Sequence, residues 1–169
     1  MKKDLILIGM PGSGKSSLGR RLAKKLGLPF LDLDKEIEKM AGKAIPQIFE
    51  TDGEDAFRLL ETKAFASSLG GGRVIATGGG IVTREENREI ARQGVVLFID
   101  RPLNQIMSEV KTETRPLLKD GKERLTVLYQ ERYDKYLAWA DLRVVNDGSF
   151  IRTLYKIINE VKHYETHGN

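Results

Sequence analysis

Residues 9–17 read GMPGSGKSS and follow directly on the apolar run Leu5-Ile6-Leu7-Ile8. The spacing G-x-x-x-x-G-K-S, set between a short apolar strand and a helical pattern, constrains this chain more than any other feature. Glycines let backbone N–H groups crowd around one point. A helix opening at Lys15 aims its N-terminal dipole at the same point. The product is a cradle for phosphate, and its strand–loop–helix setting turns the pattern into a mechanism. Gly12, Ser13, Gly14, Lys15, Ser16 and Ser17 are the expected nucleotide contacts, with Lys15 reaching the β- and γ-phosphates and Ser16 ligating Mg²⁺.

Around this loop the chain alternates strand and helix patterns. Apolar runs at Leu5–Ile8, Phe30–Leu33, Val74–Ala76, Val95–Ile99 and Leu142–Val145 show little alternation, as strands buried on both faces do. Leu18, Leu22, Ala23 and Leu26 repeat at helical spacing from Lys15, and Gly27 marks a stop. Segments 53–69, 85–93, 102–110, 122–140 and 150–164 also read as helices, and the tail HYETHGN is expected to fray. The alternation predicts one α/β domain over residues 1–169, a doubly wound five-stranded parallel sheet flanked by helices. KTETRPLLKDGK, residues 111–122, is charged and broken by Pro116 and Gly121, and is expected to form a mobile lid.

Composition narrows the function classes. With no cysteine in 169 residues, disulfides, thiolate metal sites and a cysteine nucleophile are excluded. A net charge of +4 spread through acidic neighbours does not make the concentrated basic face of a nucleic-acid binder. No apolar stretch approaches the roughly 18 residues of a membrane span. In MKKDLILIGM the apolar run is short, Asp4 interrupts its start and a glycine loop follows, so a signal peptide is not the reading. A cytoplasmic protein is expected.

Ligands of open α/β sheets bind beyond the carboxyl ends of the strands. Gly70–Gly72 precedes the third strand and reads as a turn. Gly78, Gly79 and Gly80 follow it and face the ligand side. Asp32 and Asp34 close the second strand. Two apart on a strand, they would point the same way, one toward Mg²⁺ through water and one toward a hydroxyl proton. Asp34 would equally serve as N-cap of a helix beginning near Lys35. Asp100 ends VVLFID and reads either as a Walker B aspartate or as a helix cap. Arg58 has Glu54, Asp55 and Glu61 at helical neighbour spacing, which a surface ion-pair cluster explains. Arg132 has no acidic residue three or four positions away on its own helix, and Arg115 sits in the expected lid, where an arginine could close onto a transferring phosphate. Tyr136 and Trp139 read as packing residues. His163 and His167, both in the tail, make a poor metal site.

GMPGSGKSSLGRRLAKKL, FLDLDKEIE, IPQIFETDGEDAFRLLE, VIATGGGIV, TRPLL and ERYDKYLAWAD together resemble the shikimate kinases in order and spacing, over residues 4–146. The resemblance implies a phosphate-loop kinase that uses ATP and Mg²⁺ to phosphorylate the 3-hydroxyl of shikimate, on the route to chorismate. It implies that Asp34 binds the substrate hydroxyls and acts as base, and that Asp32 is associated with magnesium. Arg58 and Arg132 would grip the substrate carboxylate, Gly78–Gly80 would contact its ring, and Arg115 would stabilise the transferring phosphate. The substrate-binding helical segment would span about 34–60. One departure stands out: where relatives often carry an adenine-stacking arginine, this chain has Ser108, with Lys111 the nearest basic residue. A gluconate-type or nucleoside monophosphate kinase is the neighbouring alternative, and a non-catalytic nucleotide-binding regulator the alternative of another class. ATP and shikimate are the expected partners of a monomer, with neither nucleic acid nor membrane.

Overall fold

The computed structural model describes residues 3–109 and 121–167. Arg115 and all of the expected lid except Gly121 and Lys122 lie outside the described residues. Strands β1 (Leu5–Ile8), β2 (Phe30–Asp32), β3 (Val74–Ala76), β4 (Val95–Asp100) and β5 (Leu142–Val145) form one sheet in the order β2-β3-β1-β4-β5. Every pairing is parallel, with Leu7 of the central strand in register with Ala76 on one side and Leu97 on the other.

Period-two alternation sorts the strand residues into two cores. Leu5, Leu7, Val95, Leu97 and Ile99 face one side, where α1 (Lys15–Leu26) brings Leu18, Leu22 and Ala23 and α8 (Phe150–His167) brings Leu154, Ile157 and Val161. Ile6, Ile8, Val96 and Phe98 face the other. There α2 (Leu33–Ala41) supplies Ile37, α4 (Gly53–Ser68) supplies Phe57 and Phe65, and α7 (Lys122–Trp139) supplies Leu125, Leu128 and Tyr136. Each buried Leu, Ile or Phe is worth about 1.5–3 kcal/mol. Strands of three to six residues therefore owe their stability to both covering layers rather than to their own length. Only the edge strands β2 and β5 are incompletely covered.

Three local readings need correction. The second strand stops at Asp32, and α2 starts at Leu33 rather than near Lys35, because the Asp32 side chain accepts a hydrogen bond from the Asp34 N–H at 3.1 Å. Asp32, not Asp34, is thus the N-cap. A short helix α3 (Ile45–Thr51) precedes α4, with proline in its first turn where a missing N–H costs nothing. Within the tail, residues 163–167 are helical rather than frayed, since α8 runs to His167. Helices α5 (Glu85–Ala91) and α6 (Leu103–Glu109) complete the α-helices among the described residues, and a 3-10 turn, Ile81–Thr83, follows the glycine loop after β3.

Asp4 is buried at the start of β1, where its carboxylate accepts from the backbone N–H groups of Gly70 at 2.5 Å and Arg73 at 2.8 Å. The Gly70–Gly72 turn is therefore a clasp at the amino end of the sheet, opposite the phosphate loop.

Candidate active site

The phosphate loop leaves β1 and enters α1 through Gly14, whose φ of 99° lies in the region that favours glycine. The Lys15 ammonium folds back onto the loop and donates to the carbonyls of Gly9 and Met10, each at 2.8 Å. Gly12, Gly14, Lys15, Ser16 and Ser17 line an open cavity of about 310 Å³. Ser13 lies behind it, fully buried, its carbonyl accepting from the Asn146 side-chain amide at 2.9 Å. Asn146 in turn accepts from Thr153 at 2.8 Å, tying the loop to the first turn of α8.

Asp32 and Asp34 both reach this region, but not by strand spacing. Asp32 ends β2 and accepts from the Ser16 hydroxyl at 2.9 Å. Asp34 lies in the first turn of α2 and lines the same cavity as Lys15, Gly78 and Gly79. The abrupt strand-to-helix switch brings the two carboxylates to adjacent tasks. Asp100, at the end of β4, is held by neighbouring side chains. Its Oδ2 accepts from Tyr133 at 3.0 Å and from Nε and Nη2 of Arg143 at 2.9 and 2.6 Å, joining β4 to β5 and α7.

A second cluster adjoins the cavity. Arg58 on α4 does pair with acidic neighbours on its helix, with Glu61 at 2.7 Å and Glu54 at 3.5 Å, yet it is not a surface residue: Arg58 is 6% exposed and Glu61 0%. Arg132 on α7 is equally buried, its Nε has no hydrogen-bond partner, and it makes no ion pair among the described residues. Burial pulls the Arg132 guanidinium below its ordinary pKa, opposed by its contact with the Tyr136 oxygen and by the charge of the Glu61 carboxylate, and reinforced by the like charge of Arg58. Burial also pushes the Glu61 carboxyl up, against the pull of Arg58.

The loop after β3 holds these groups together. A side chain on Gly80 would collide with the Arg58 guanidinium, and a Cβ on Gly79 would lie 2.6 Å from the ring of Pro11 in the phosphate loop. A Cβ on Gly78 would sit 3.2 Å from both Asp34 and Glu61. Bare backbone is what lets the acid, the two arginines and the phosphate loop share one space.

Four participants were not legible as such in the sequence. Tyr136 packs on Phe98 with ring centroids 5.2 Å apart, and its hydroxyl donates to the Gly79 carbonyl at 2.5 Å. Burial raises its pKa well above the usual phenol value, so it stays a neutral donor. Thr77 donates to the Leu7 carbonyl at 2.8 Å and lines the cavity. Glu61 looked like one member of a surface pair. Arg101, straight after β4, also lines the cavity. The only hint for Tyr136 was that a buried tyrosine needs a hydroxyl partner.

Comparison with known proteins accords with this geometry. The shikimate kinase family model matches residues 11–162. A shikimate kinase of Clostridium botulinum is 46% identical over 164 residues, covering 96% of each chain. One from Clostridium beijerinckii is 42% identical, over 96% of this chain and 94% of that one. Among solved structures, a shikimate kinase from Acinetobacter baumannii in complex with shikimate superposes with a TM-score of 0.88 at 34% identity, covering 95% of this chain and 93% of that one. A match of this extent to the family model, with relatives this similar along nearly their whole length, has one meaning. The chain belongs to the shikimate kinase family.

Proposed function

We propose that this chain transfers the γ-phosphate of ATP to the 3-hydroxyl of shikimate, yielding shikimate 3-phosphate and ADP. The observation that carries the reading is the buried cluster beside the phosphate cavity. It holds two guanidiniums, Arg58 and Arg132, and Arg132 has no carboxylate paired with it among the described residues. A buried arginine left so is costly, and a ligand carboxylate supplies the missing partner. Shikimate has such a carboxylate across a small ring from its reacting hydroxyl.

With the carboxylate on Arg58 and Arg132, the ring lies against Gly78, Gly79 and Gly80, and a hydroxyl reaches Asp34. That carboxylate orients the oxygen and accepts its proton as the new O–P bond forms and the bond to the β-phosphate oxygen breaks. Lys15 offsets charge on the phosphates. Arg115 is proposed as a second cation at the transferring phosphate, delivered by the lid at 111–122. The acceptor-binding segment spans about 34–60 of one catalytic unit running through residues 1–169.

The residues present fit a magnesium ion: the Ser16 hydroxyl and the Asp32 carboxylate meet at 2.9 Å beside Lys15. A hard cation taking one hydroxyl, phosphate oxygens and waters, one of them held by Asp32, needs no larger cage. When bound, the ion would neutralise phosphate charge. Among the described residues no helix is long and apolar enough to cross a membrane. We read the protein as a cytoplasmic monomer that binds its two small substrates and no nucleic acid.

A coupled ADP-release assay offering shikimate, gluconate and AMP as acceptors tests the proposal. ADP should appear with shikimate and not with the other two. Turnover on gluconate or AMP alone would reassign the acceptor, and ATP binding without turnover on any of them would make the chain a regulator.

A further inference from the structure

The residue after β4 is placed against the phosphate loop by the sheet itself. The Ile99 carbonyl lies so close to Gly9 that a Cβ there would stand 2.5 Å from it, so the end of β4 and the start of the loop are locked in register. Arg101 therefore comes off the strand beside Gly12 and lines the cavity of about 310 Å³ with the phosphate-loop residues. Its side chain is 19% exposed.

The arginine is poorly satisfied for one so placed. Nη1 donates to the Gly12 carbonyl at 3.3 Å, near the long limit of a hydrogen bond. Nε is enclosed without an acceptor among the described residues. Nη2 pairs at 2.8 Å with Glu109, whose own side chain is 62% exposed. The buried carboxylate next in sequence, Asp100, is taken up by Arg143 and Tyr133. An exposed ion pair of the Glu109 kind contributes little, because solvent and salt screen it. A phosphate accepting two parallel N–H bonds from a guanidinium is a stronger partner. Ser108, meanwhile, satisfies its hydroxyl on the Gln105 carbonyl at 2.9 Å and brings no charge to this side.

We propose that Arg101 is a nucleotide-binding residue, whose guanidinium exchanges Glu109 for the phosphate oxygens of ATP or ADP on the Gly12 side of the loop. The proposal rests on the reading of that cavity as a nucleotide phosphate site. It adds a cation to the phosphate end of the nucleotide site from the end of β4.

Calorimetric titrations of the full-length wild type, Arg101→Ala, Arg101→Lys and Glu109→Gln test it. Each is titrated with ADP, with inorganic tripolyphosphate and, separately, with shikimate, and each apo protein is melted. Arg101→Ala should weaken ADP and tripolyphosphate by one common factor, roughly tenfold to a hundredfold, and leave shikimate affinity and melting temperature unchanged. Arg101→Lys, which keeps the charge and loses the fork, should fall between, and it decides the matter if the alanine variant does not fold. Glu109→Gln should tighten both anions by about two- to fivefold.

Wild-type ADP affinity in the arginine variants would overturn the inference. So would a loss for ADP without one for tripolyphosphate, which would mark a base contact. Equal losses for ADP and shikimate with a lowered melting temperature would also overturn it, making Arg101 a brace for the Gly12 carbonyl. Failure of the wild type to bind ADP would instead sink the kinase reading, and failure to phosphorylate shikimate with ADP binding intact would leave the Arg101 series interpretable.

Discussion

Asp34 sits in the first turn of α2, yet the helix does not depend on its carboxylate, because Asp32 performs the capping. Stability and chemistry are therefore separable at this residue. Asp34→Asn keeps size and most hydrogen-bonding capacity but cannot accept the proton. Its melting temperature should match the wild type while turnover on shikimate falls by roughly 10²–10⁴, the range for a lost acid–base group. Thermal melts and steady-state kinetics on the same preparation check both halves. Full activity would remove Asp34 from the chemistry. Asp32 is the opposite case: its Oδ1 caps α2 and its Oδ2 takes the Ser16 hydroxyl, so any change there confounds fold with function.

At the scale of elements, α4 carries the most exposed consequence of the site's construction, the fully buried Glu61. Its folded pKa is raised above the ordinary glutamate value, first by burial. A carboxyl with a raised folded pKa favours the folded state most below the unfolded value, and that advantage is lost as pH rises through the raised one. Glu61→Gln cannot titrate. The melting-temperature difference, wild type minus variant, should therefore be larger near pH 4.5 than at neutrality, and a difference that grew with pH would show the carboxyl to be held down instead. The sequence gives no sign of this, because i,i+3 and i,i+4 spacing looks the same for a solvated ion pair and a buried one. What closes over Arg58 and Glu61 is the glycine loop after β3, remote in sequence. By contrast, β1, the phosphate loop and α1 are read correctly from the sequence because their chemistry is local: apolar run, glycines, lysine and helix spacing follow one another without a break from Leu5 to Leu26. Helix α3 is hard to read for a local reason too, being only seven residues long with a proline in its first turn.

In the molecule as a whole, the sheet order places β1 between β3 and β4, so the loops after all three strands meet at one end. From β1 comes the phosphate loop, from β3 the glycines and from β4 Arg101, while α4 and α7 reach in with Arg58 and Arg132 from the layer over one face. Two patches result, joined across Gly79 and Pro11; in the proposed function one serves the nucleotide and the other an anionic acceptor. If the arginine cluster exists for the acceptor's carboxylate, its loss should register in one ligand and not in the other. The deciding measurement is calorimetric titration of Arg58→Ala and Arg132→Ala with shikimate and, in separate runs, with ADP. Each variant should bind shikimate roughly tenfold to a hundredfold more weakly than wild type and ADP with unchanged affinity. Equal losses for the two ligands, or undiminished shikimate binding, would contradict the account and leave the two arginines as supports of the fold.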